Sequence, residues 1–227
     1  DSYGIYAYNY GTDLTVAVNG DVTSNDRGLF GWNDGSGKTS ITADGTVTAL
    51  NNTAIYADNE QTSTASDITI NAKNANGFDE GIKAFNSGSG STTITATGTV
   101  IGGVGQTDQT ANADGIYAVN DTTATDLSIT AKDVTGLDNG IYAFNNGTGA
   151  TAISVSGVIV GSVSEGIHTK GSGSTITVST SATVSGNTEG IKTDSKADTV
   201  TVNGSVTGLN GTAILLGGGN DTVNLGT

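Results

Sequence analysis

The residues of this chain best suited to catalysis are a few carboxylates and a single histidine. Acidic side chains stand one or two positions before a recurring glycine: Asp26, Glu80, Asp114, Glu165 and Glu189. Two carboxylates at a fixed separation across a cleft can hydrolyse a glycosidic bond, and His168 has the chemistry of a general base. Because the acidic residues recur at one position of a repeat, we interpret them as a solvated column of turns. We interpret His168 as a surface residue.

The segment NADG at 112–115 resembles the NTDG motif of polygalacturonases. In that family a nearby Asp pair, a GHG motif and an RIK motif complete the site, and this chain lacks all three; its one arginine is Arg27. The segment DGSG at 34–37 lacks the GDSG order of chymotrypsin-like serine proteases, so a Ser-His-Asp arrangement has no support. We therefore expect no enzyme, with a polysaccharide-active lyase or hydrolase as the alternative.

One stretch near the end of the chain could bind calcium. The segment GGGNDTVNL at 217–225 resembles one nonapeptide of the calcium-binding RTX family, G-G-x-G-x-D-x-U-x. Here Asp221 stands one position early and Asn220 replaces a glycine, and the chain has one copy where that family shares ligands between tandem copies. We expect no metal or other cofactor, and Asp221 is the alternative calcium ligand.

The composition excludes several classes of protein. The chain has 227 residues with 35 glycines, 13% charged residues and neither proline nor cysteine. Its formal net charge of −14 leaves too few basic residues to assemble a face for nucleic acid. Without cysteine it has neither disulfides nor thiolate metal sites, as suits a chain exported through an oxidising compartment. The chain has no run of 18 apolar residues, so we expect no membrane-embedded segment in it.

A short motif repeats along the whole chain and indicates its fold. GIYAYN at 4–9 returns as GIYAVN at 115–120 and GIYAFN at 140–145, and related segments give nine copies, mostly 23 to 27 residues apart. Between copies lie two further short stretches with Val or Ile at alternate positions, such as TVAV and GDVTS, which is the period of a half-buried strand. No segment has the period of a helix.

These observations predict an all-β, parallel β-helix of about nine coils, each of 23–27 residues with three short strands. Coils stacked at about 4.8 Å place the ninth copy of the motif roughly 38 Å from the first. Residues 1–227 are expected to form one solenoid segment of a longer protein, with a loop insertion around 104–114 where one step lengthens to 34 residues. An asparagine recurs after the first strand, and we expect it to adopt left-handed backbone angles and to bond to its stacked neighbour.

The composition and repeat style resemble the passenger domains of Gram-negative autotransporters, especially large repetitive adhesins. Those passengers are right-handed β-helices rich in Thr, Gly and Asn with little cysteine, and they often contain strings like GGGNDTVNLG at 217–226. The resemblance therefore implies a right-handed parallel β-helix. The resemblance implies export across the outer membrane, display on the bacterial cell surface, and adhesion or self-association. The implied partners are a glycan or protein of a host or neighbouring cell, or a like passenger.

An aromatic stripe is the candidate binding face. In GIYAFN the Ile and Ala point inward, and the two intervening side chains point outward. Nine of the twelve aromatic residues occupy these outward positions: Tyr6, Tyr8, Phe30, Trp32, Tyr56, Phe85, Tyr117, Tyr142 and Phe144. Rung-to-rung ring packing and recognition of a partner both account for such a stripe. Outward Thr and Ser ranks on the second strand, such as Thr93 and Thr95, leave an ice-binding solenoid as a remote alternative.

Overall fold

The computed structural model describes residues 2–60, 65–108, 112–194 and 196–226, and within them the chain is all-β. Two parallel sheets are stacked as a β-solenoid of about nine turns, which confirms the predicted fold class. Within these residues no helix is present that could cross a membrane. The predicted insertion follows the strand Thr92–Ile101, and its residues 109–111 lie outside the described ranges.

The first sheet consists of the repeated motif, one strand from each coil. We number the coils by these nine strands: Ile5–Asn9, Leu29–Asn33, Ile55–Asn59, Ile82–Asn86, Ile116–Asn120, Ile141–Asn145, Ile167–Gly171, Ile191–Lys192 and Ile214–Leu215. Neighbouring strands pair in register, so that Ile116 lies between Ile82 and Ile141. Equivalent residues therefore form straight columns along the rod.

The second sheet has thirteen strands and forms the rest of each coil. They are Leu14–Val18, Val22–Ser24, Thr39–Ala49, Ile68–Gly77, Thr92–Ile101, Leu127–Gly136, Thr151–Val155, Val158–Gly161, Ser174–Val178, Thr183–Gly186, Thr199–Val202, Ser205–Gly208 and Thr222–Leu225. The prediction of three strands in every coil is wrong for coils 2 to 5, whose second and third segments form one strand of 10 or 11 residues. A bulge at the bend, for example between Ala43 and Thr46, keeps those long strands paired.

The core is a narrow interior of aliphatic side chains stacked by coil. Ile55, Ile82 and Ile116 of the first sheet are fully buried, and Ile70 and Ile94 face them from the second sheet. Each buried aliphatic side chain stabilises the fold by about 1.5–3 kcal/mol relative to an exposed one. Since every coil contributes its own share, stability is distributed along the rod.

A column of asparagines lies at the C-terminal ends of the first six strands of the first sheet. Five of them are fully enclosed: Asn33, Asn59, Asn86, Asn120 and Asn145. Their amides bond between coils, with Asn9 Nδ2 donating to Asn33 Oδ1 at 2.8 Å, and Thr92 Oγ1 donating to Asn120 Oδ1 at 2.6 Å. The expected left-handed backbone is wrong, because no non-glycine residue in the described ranges has a positive φ. Hydrogen bonding by the side chain is what selects Asn here.

The first six coils alternate in a pattern of two that sequence analysis missed. A side-chain oxygen of an odd-numbered coil accepts a backbone N–H of the next, even-numbered coil, in the pairs Asp13–Lys38, Asp67–Ser91, Asp126–Ala150, Asp21–Thr46, Asn74–Thr99 and Asp133–Val158. Glycines of the even-numbered coils leave room for these oxygens, since a Cβ on Gly45 would lie 2.8 Å from Asp21 Oδ1. The structural repeat is therefore a pair of coils, with Asp or Asn in one and Gly in the other.

Candidate binding face

The outward side of the first sheet carries two columns of side chains, which together we call the aromatic face. The first column contains Tyr6, Phe30, Tyr56, Lys83, Tyr117, Tyr142, His168 and Lys192, and the second contains Tyr8, Trp32, Asp58, Phe85, Val119, Phe144 and Lys170. All nine predicted aromatic residues lie on this face. The register of the sheet fixes their order, because each strand places its second and fourth residues outward.

The rings of coils 1 to 3 form one continuous cluster. Ring centroids of Tyr6 and Phe30 are 5.2 Å apart, and the Phe30 ring stacks on that of Tyr56 at 5.0 Å. In the second column the Tyr8 and Trp32 rings meet edge to face at 4.9 Å. Ring pairs at these separations contribute about 0.5–1.5 kcal/mol beyond the area that they bury. Rung-to-rung packing is thus present in the face.

Two further tyrosines enlarge this cluster and were missed by sequence analysis. Tyr3 lies 5.0 Å from the ring of Tyr6, and Tyr10 lies 4.4 Å from the ring of Tyr8. Tyr3 precedes the first strand and Tyr10 follows it, so the alternation of residues within the strand did not identify them. Their nearness in sequence to Tyr6 and Tyr8 was the available signal. With Tyr10 74% exposed, the cluster extends into solvent at this end of the rod.

Cations lie against rings of the first column, and one of them, Lys83, stands between two tyrosines. Lys83 Nζ lies 5.5 Å from the ring centroid of Tyr56 and 5.2 Å from that of Tyr117. Beyond it, the rings of Tyr117 and Tyr142 stack at 5.3 Å with only 6° between their planes. Arg27 lies over Phe30 at 4.8 Å. Contacts of this kind contribute about 0.5–1 kcal/mol each when they are exposed.

Exposure differs along the aromatic face. Phe30 is only 5% exposed beneath its neighbours, whereas Tyr6 is 48% exposed. The other seven predicted rings are partly exposed. Phe30 therefore supports the surface from below, and the remaining rings present edges or faces that a partner can contact.

The interpretation of the acidic residues as a solvated column is wrong for three of the five, since only Asp26 and Glu189 are partly exposed. Glu80, Asp114 and Glu165 are at most 8% exposed. Polar groups of adjacent coils enclose them: Thr53 Oγ1 donates to Glu80 Oε2 at 2.5 Å, and Asn139 donates to Asp114 Oδ1 from both N and Nδ2 at 2.9 Å. Burial raises the pKa of the Asp114 carboxyl to about 7, although the bonds from Asn139 oppose it. The Asp114 carboxyl is therefore engaged as an acceptor within the solenoid.

His168 belongs to the same buried network, and its interpretation as a surface residue is also wrong. It is 9% exposed, and its Nδ1 lies 3.5 Å from Glu165 Oε2. Lys192 Nζ donates to Glu165 Oε1 at 2.7 Å. Burial alone would raise the pKa of Glu165, but the contacts of His168 and Lys192 lower it to about 2. Glu165 thus forms an ion pair with Lys192 of the following coil and lies against the ring of His168.

The alternative calcium ligand and the threonine ranks have structural surroundings of their own. Asp221 Oδ1 accepts the backbone N–H of Asp198 at 3.0 Å, as at other corners between coils. Within the described residues no three His, Cys, Asp or Glu side chains are grouped as metal ligands. The threonine ranks are in register on the second sheet, but Asn71 and Ala152 interrupt them.

No known protein family, curated protein or solved structure matches this chain.

Proposed function

We propose that this chain is a non-catalytic binding module of a bacterial surface adhesin, exported across the outer membrane and displayed as a rigid rod. The observation that carries the proposal is the contiguous aromatic face of a regular solenoid. Contiguous aromatic surface that remains partly exposed is characteristic of interaction sites, because rings offer large contact areas with little loss of conformational entropy. The acidic, cysteine-free composition suits an extracellular setting.

Two kinds of partner fit the aromatic face. A glycan of a host or neighbouring cell can stack its apolar sugar faces on the exposed rings. A like passenger on a neighbouring cell can instead pack its own aromatic face against this one, as straight columns favour alignment of two rods. Both partners depend on the outer rings, while neither depends on the buried acidic column.

The test is adhesion by chains that lack the outer rings. Trp32, Tyr56, Phe85, Tyr117 and Phe144 are replaced together by Thr, which suits an exposed strand position and leaves the inner Ile stacks unchanged. Native and substituted chains are displayed on a non-adherent bacterium and compared for cell aggregation and for binding to a glycan array. The proposal expects both chains to fold and the substituted chain to lose binding. Equal adhesion per folded molecule would contradict it.

The alternative of a polysaccharide-active enzyme is addressed with the same preparations. Incubation with acidic and neutral polysaccharides, followed by assays for new reducing ends and for unsaturated sugar products, measures hydrolase and lyase activity. We expect neither product to accumulate above the level given by heat-denatured chain. Turnover that is lost on substitution of Asp114 would replace the binding proposal with the enzymatic one.

A further inference from the structure

One carboxylate interrupts the aromatic face. In the second column Asp58 lies between Trp32 of coil 2 and Phe85 of coil 4. A third ring at position 58 would stack on both neighbours and stabilise the sheet. The chain instead places a charged group among rings, and departures of this kind from a local pattern are expected at functional sites.

The Asp58 carboxyl has one oxygen without a hydrogen-bond partner among the described residues. Its Oδ2 accepts a hydrogen bond from the Tyr56 hydroxyl at 2.8 Å, while its enclosed Oδ1 has no hydrogen-bond partner among the described residues. Burial raises the pKa of the Asp58 carboxyl to about 6 and the charge of Glu60 acts in the same direction, while the Tyr56 hydrogen bond and the positive charges of Lys83 and Arg27 oppose them. A buried acceptor that lacks a partner costs about 1–3 kcal/mol. A ligand that supplies a positive charge here recovers part of that cost.

Beside Asp58 the surface forms a shallow groove of about 290 Å³, which we call the Asp58 groove. Its lining consists of two rings, three carboxylates and one hydroxyl: Tyr56, Phe85, Asp58, Glu60, Asp121 and Ser87. The lining contains no lysine or arginine. Lys83, which lies over the Tyr56 ring, is already held by Glu80 at 2.8 Å. The groove thus combines aromatic walls with an excess of acidic over basic side chains in its lining.

This combination selects among classes of ligand. A bare divalent ion needs several oxygens converging at about 2.0–2.6 Å, and no such grouping is present in the described residues. A neutral sugar would use the rings but would bring no positive charge to the carboxyl of Asp58. An organic cation uses both, because ring faces attract a positive charge that has an apolar surround, and the carboxylates supply the opposite charge.

We propose that the Asp58 groove binds an organic ammonium group, with Tyr56 and Phe85 contacting its carbon-bearing surface and Asp58 providing the counter-charge. The inference rests on the proposed function, and it deepens it by naming the ligand class for one part of the aromatic face. The same chemistry occurs in the protonated amine of an amino sugar and in the quaternary ammonium of a lipid headgroup. Two probes separate these sources.

The experiment titrates isotope-labelled native chain with choline chloride and, separately, with a glucosamine disaccharide at pH 7.5. Backbone amide shifts are followed, with 3,3-dimethylbutan-1-ol as the neutral isostere of choline and the N-acetylated disaccharide as the neutral counterpart of the amino sugar. We expect saturable shifts of Ser87 and Asp121 with at least one cation, and affinity at least tenfold weaker for its neutral counterpart. Equal affinity for a cation and its neutral counterpart, or shifts confined to other coils, would overturn the proposal.

Matched variants identify the counter-charge. Asp58→Asn should weaken binding of the cation at least tenfold without lowering the melting temperature, because it removes a carboxylate that burial disfavours. Asp194→Asn removes the same charge from an exposed position in coil 8, and it should leave the affinity unchanged. Phe85→Leu should also weaken binding of the cation, because it removes one of the two aromatic walls of the groove. Unchanged affinity in Asp58→Asn would overturn the assignment.

The same samples distinguish this proposal from the proposed function. If the native chain adheres through its rings but neither ammonium probe shifts Ser87 or Asp121, the ammonium site is wrong and the adhesive function stands. If the probes bind in the Asp58 groove but the native chain neither aggregates cells nor binds glycans, the ammonium site stands and the adhesive function is wrong.

Discussion

Asn59 and Asn86, one coil apart and both fully enclosed, are joined by a hydrogen bond from Asn59 Nδ2 to Asn86 Oδ1 at 3.2 Å. Asn86 Oδ1 also accepts the N–H of Gly88, and Asn86 Nδ2 donates to the carbonyl oxygens of Ser66 at 3.3 Å and Ser91 at 3.4 Å. We expect Asn86→Ala to lower the free energy of unfolding by about 3 kcal/mol, because it leaves several buried groups without partners. Chemical denaturation measures the loss. Asn146→Ala is the control, because Asn146 is exposed and follows the buried Asn145 of the same column. An equal loss of stability in that variant would contradict the role of the column.

A second prediction concerns the alternation of paired coils. Gly20 and Gly45 occupy equivalent corners of coils 1 and 2, but only Gly45 is crowded, by the Gly20 carbonyl and by Asp21 Oδ1. We expect Gly45→Ala to cost about 1–3 kcal/mol through overpacking. Gly20→Ala meets no atom within 4 Å and should change stability by no more than about 0.5 kcal/mol. Similar melting temperatures for the two variants would show that the corner oxygens do not require glycine opposite them.

The buried Asp114 predicts an unusual dependence of stability on pH. Its pKa of about 7 in the folded chain exceeds the value of about 3.9 expected when unfolded, so folding favours the protonated form. The free energy of unfolding contributed by this group should therefore increase as the pH falls from about 8 to 5. The same contribution is lost as the pH rises through 7. We expect a gain of about 2 kcal/mol over that interval, as one pKa unit corresponds to about 1.4 kcal/mol.

Denaturation curves of native chain and Asp114→Asn between pH 5 and 8 measure this contribution. The amide keeps an oxygen for the bonds from Asn139 but does not titrate, so the variant should be less dependent on pH than the native chain. Asp58 contributes in the same direction and remains in both proteins, so the difference between them isolates Asp114. Identical pH profiles would contradict the raised pKa.

Removal of metal should leave the rod intact. Asp221 Oδ1 is engaged by the N–H of Asp198, and ladder bonds with apolar stacks account for coil-to-coil cohesion. We expect the melting temperature to be the same in millimolar EDTA as in millimolar calcium. A fall of many degrees in EDTA that calcium alone restores would establish Asp221 as a calcium ligand.

Periodicity in the sequence predicts which side chains form columns along this solenoid, but it does not predict how deeply the side chains at the corners are buried. Alternation placed Ile82 and Ile116 inside and Tyr117 and Phe85 outside, since a strand has only two faces. Corner residues do not follow the two-residue alternation between inward and outward side chains. The enclosure of Asp114 depends on where Asn139 of the next coil lies, and that contact joins residues 25 positions apart. Tyr10 escaped notice for a related reason, because it lies beyond the strand that defines the stripe.

The central claim is that the outer rings bind a partner rather than serve only as packing between rungs, and position along the rod tests it. Two sets of variants are compared, one replacing Tyr8, Trp32 and Phe85 by Thr, and the other replacing Asp194 and Leu215 by Ser on the distal coils.

The decisive measurement is adhesion per folded molecule, with the folded fraction determined from the melting curve of each displayed chain. The account predicts a loss of tenfold or more for the ring variants and no change for the distal ones, because truncation of aromatic anchors at an interface costs about 2 kcal/mol or more each. Unchanged adhesion in ring variants that melt far earlier than the native chain would contradict it, since the rings would then serve only to pack one coil against the next.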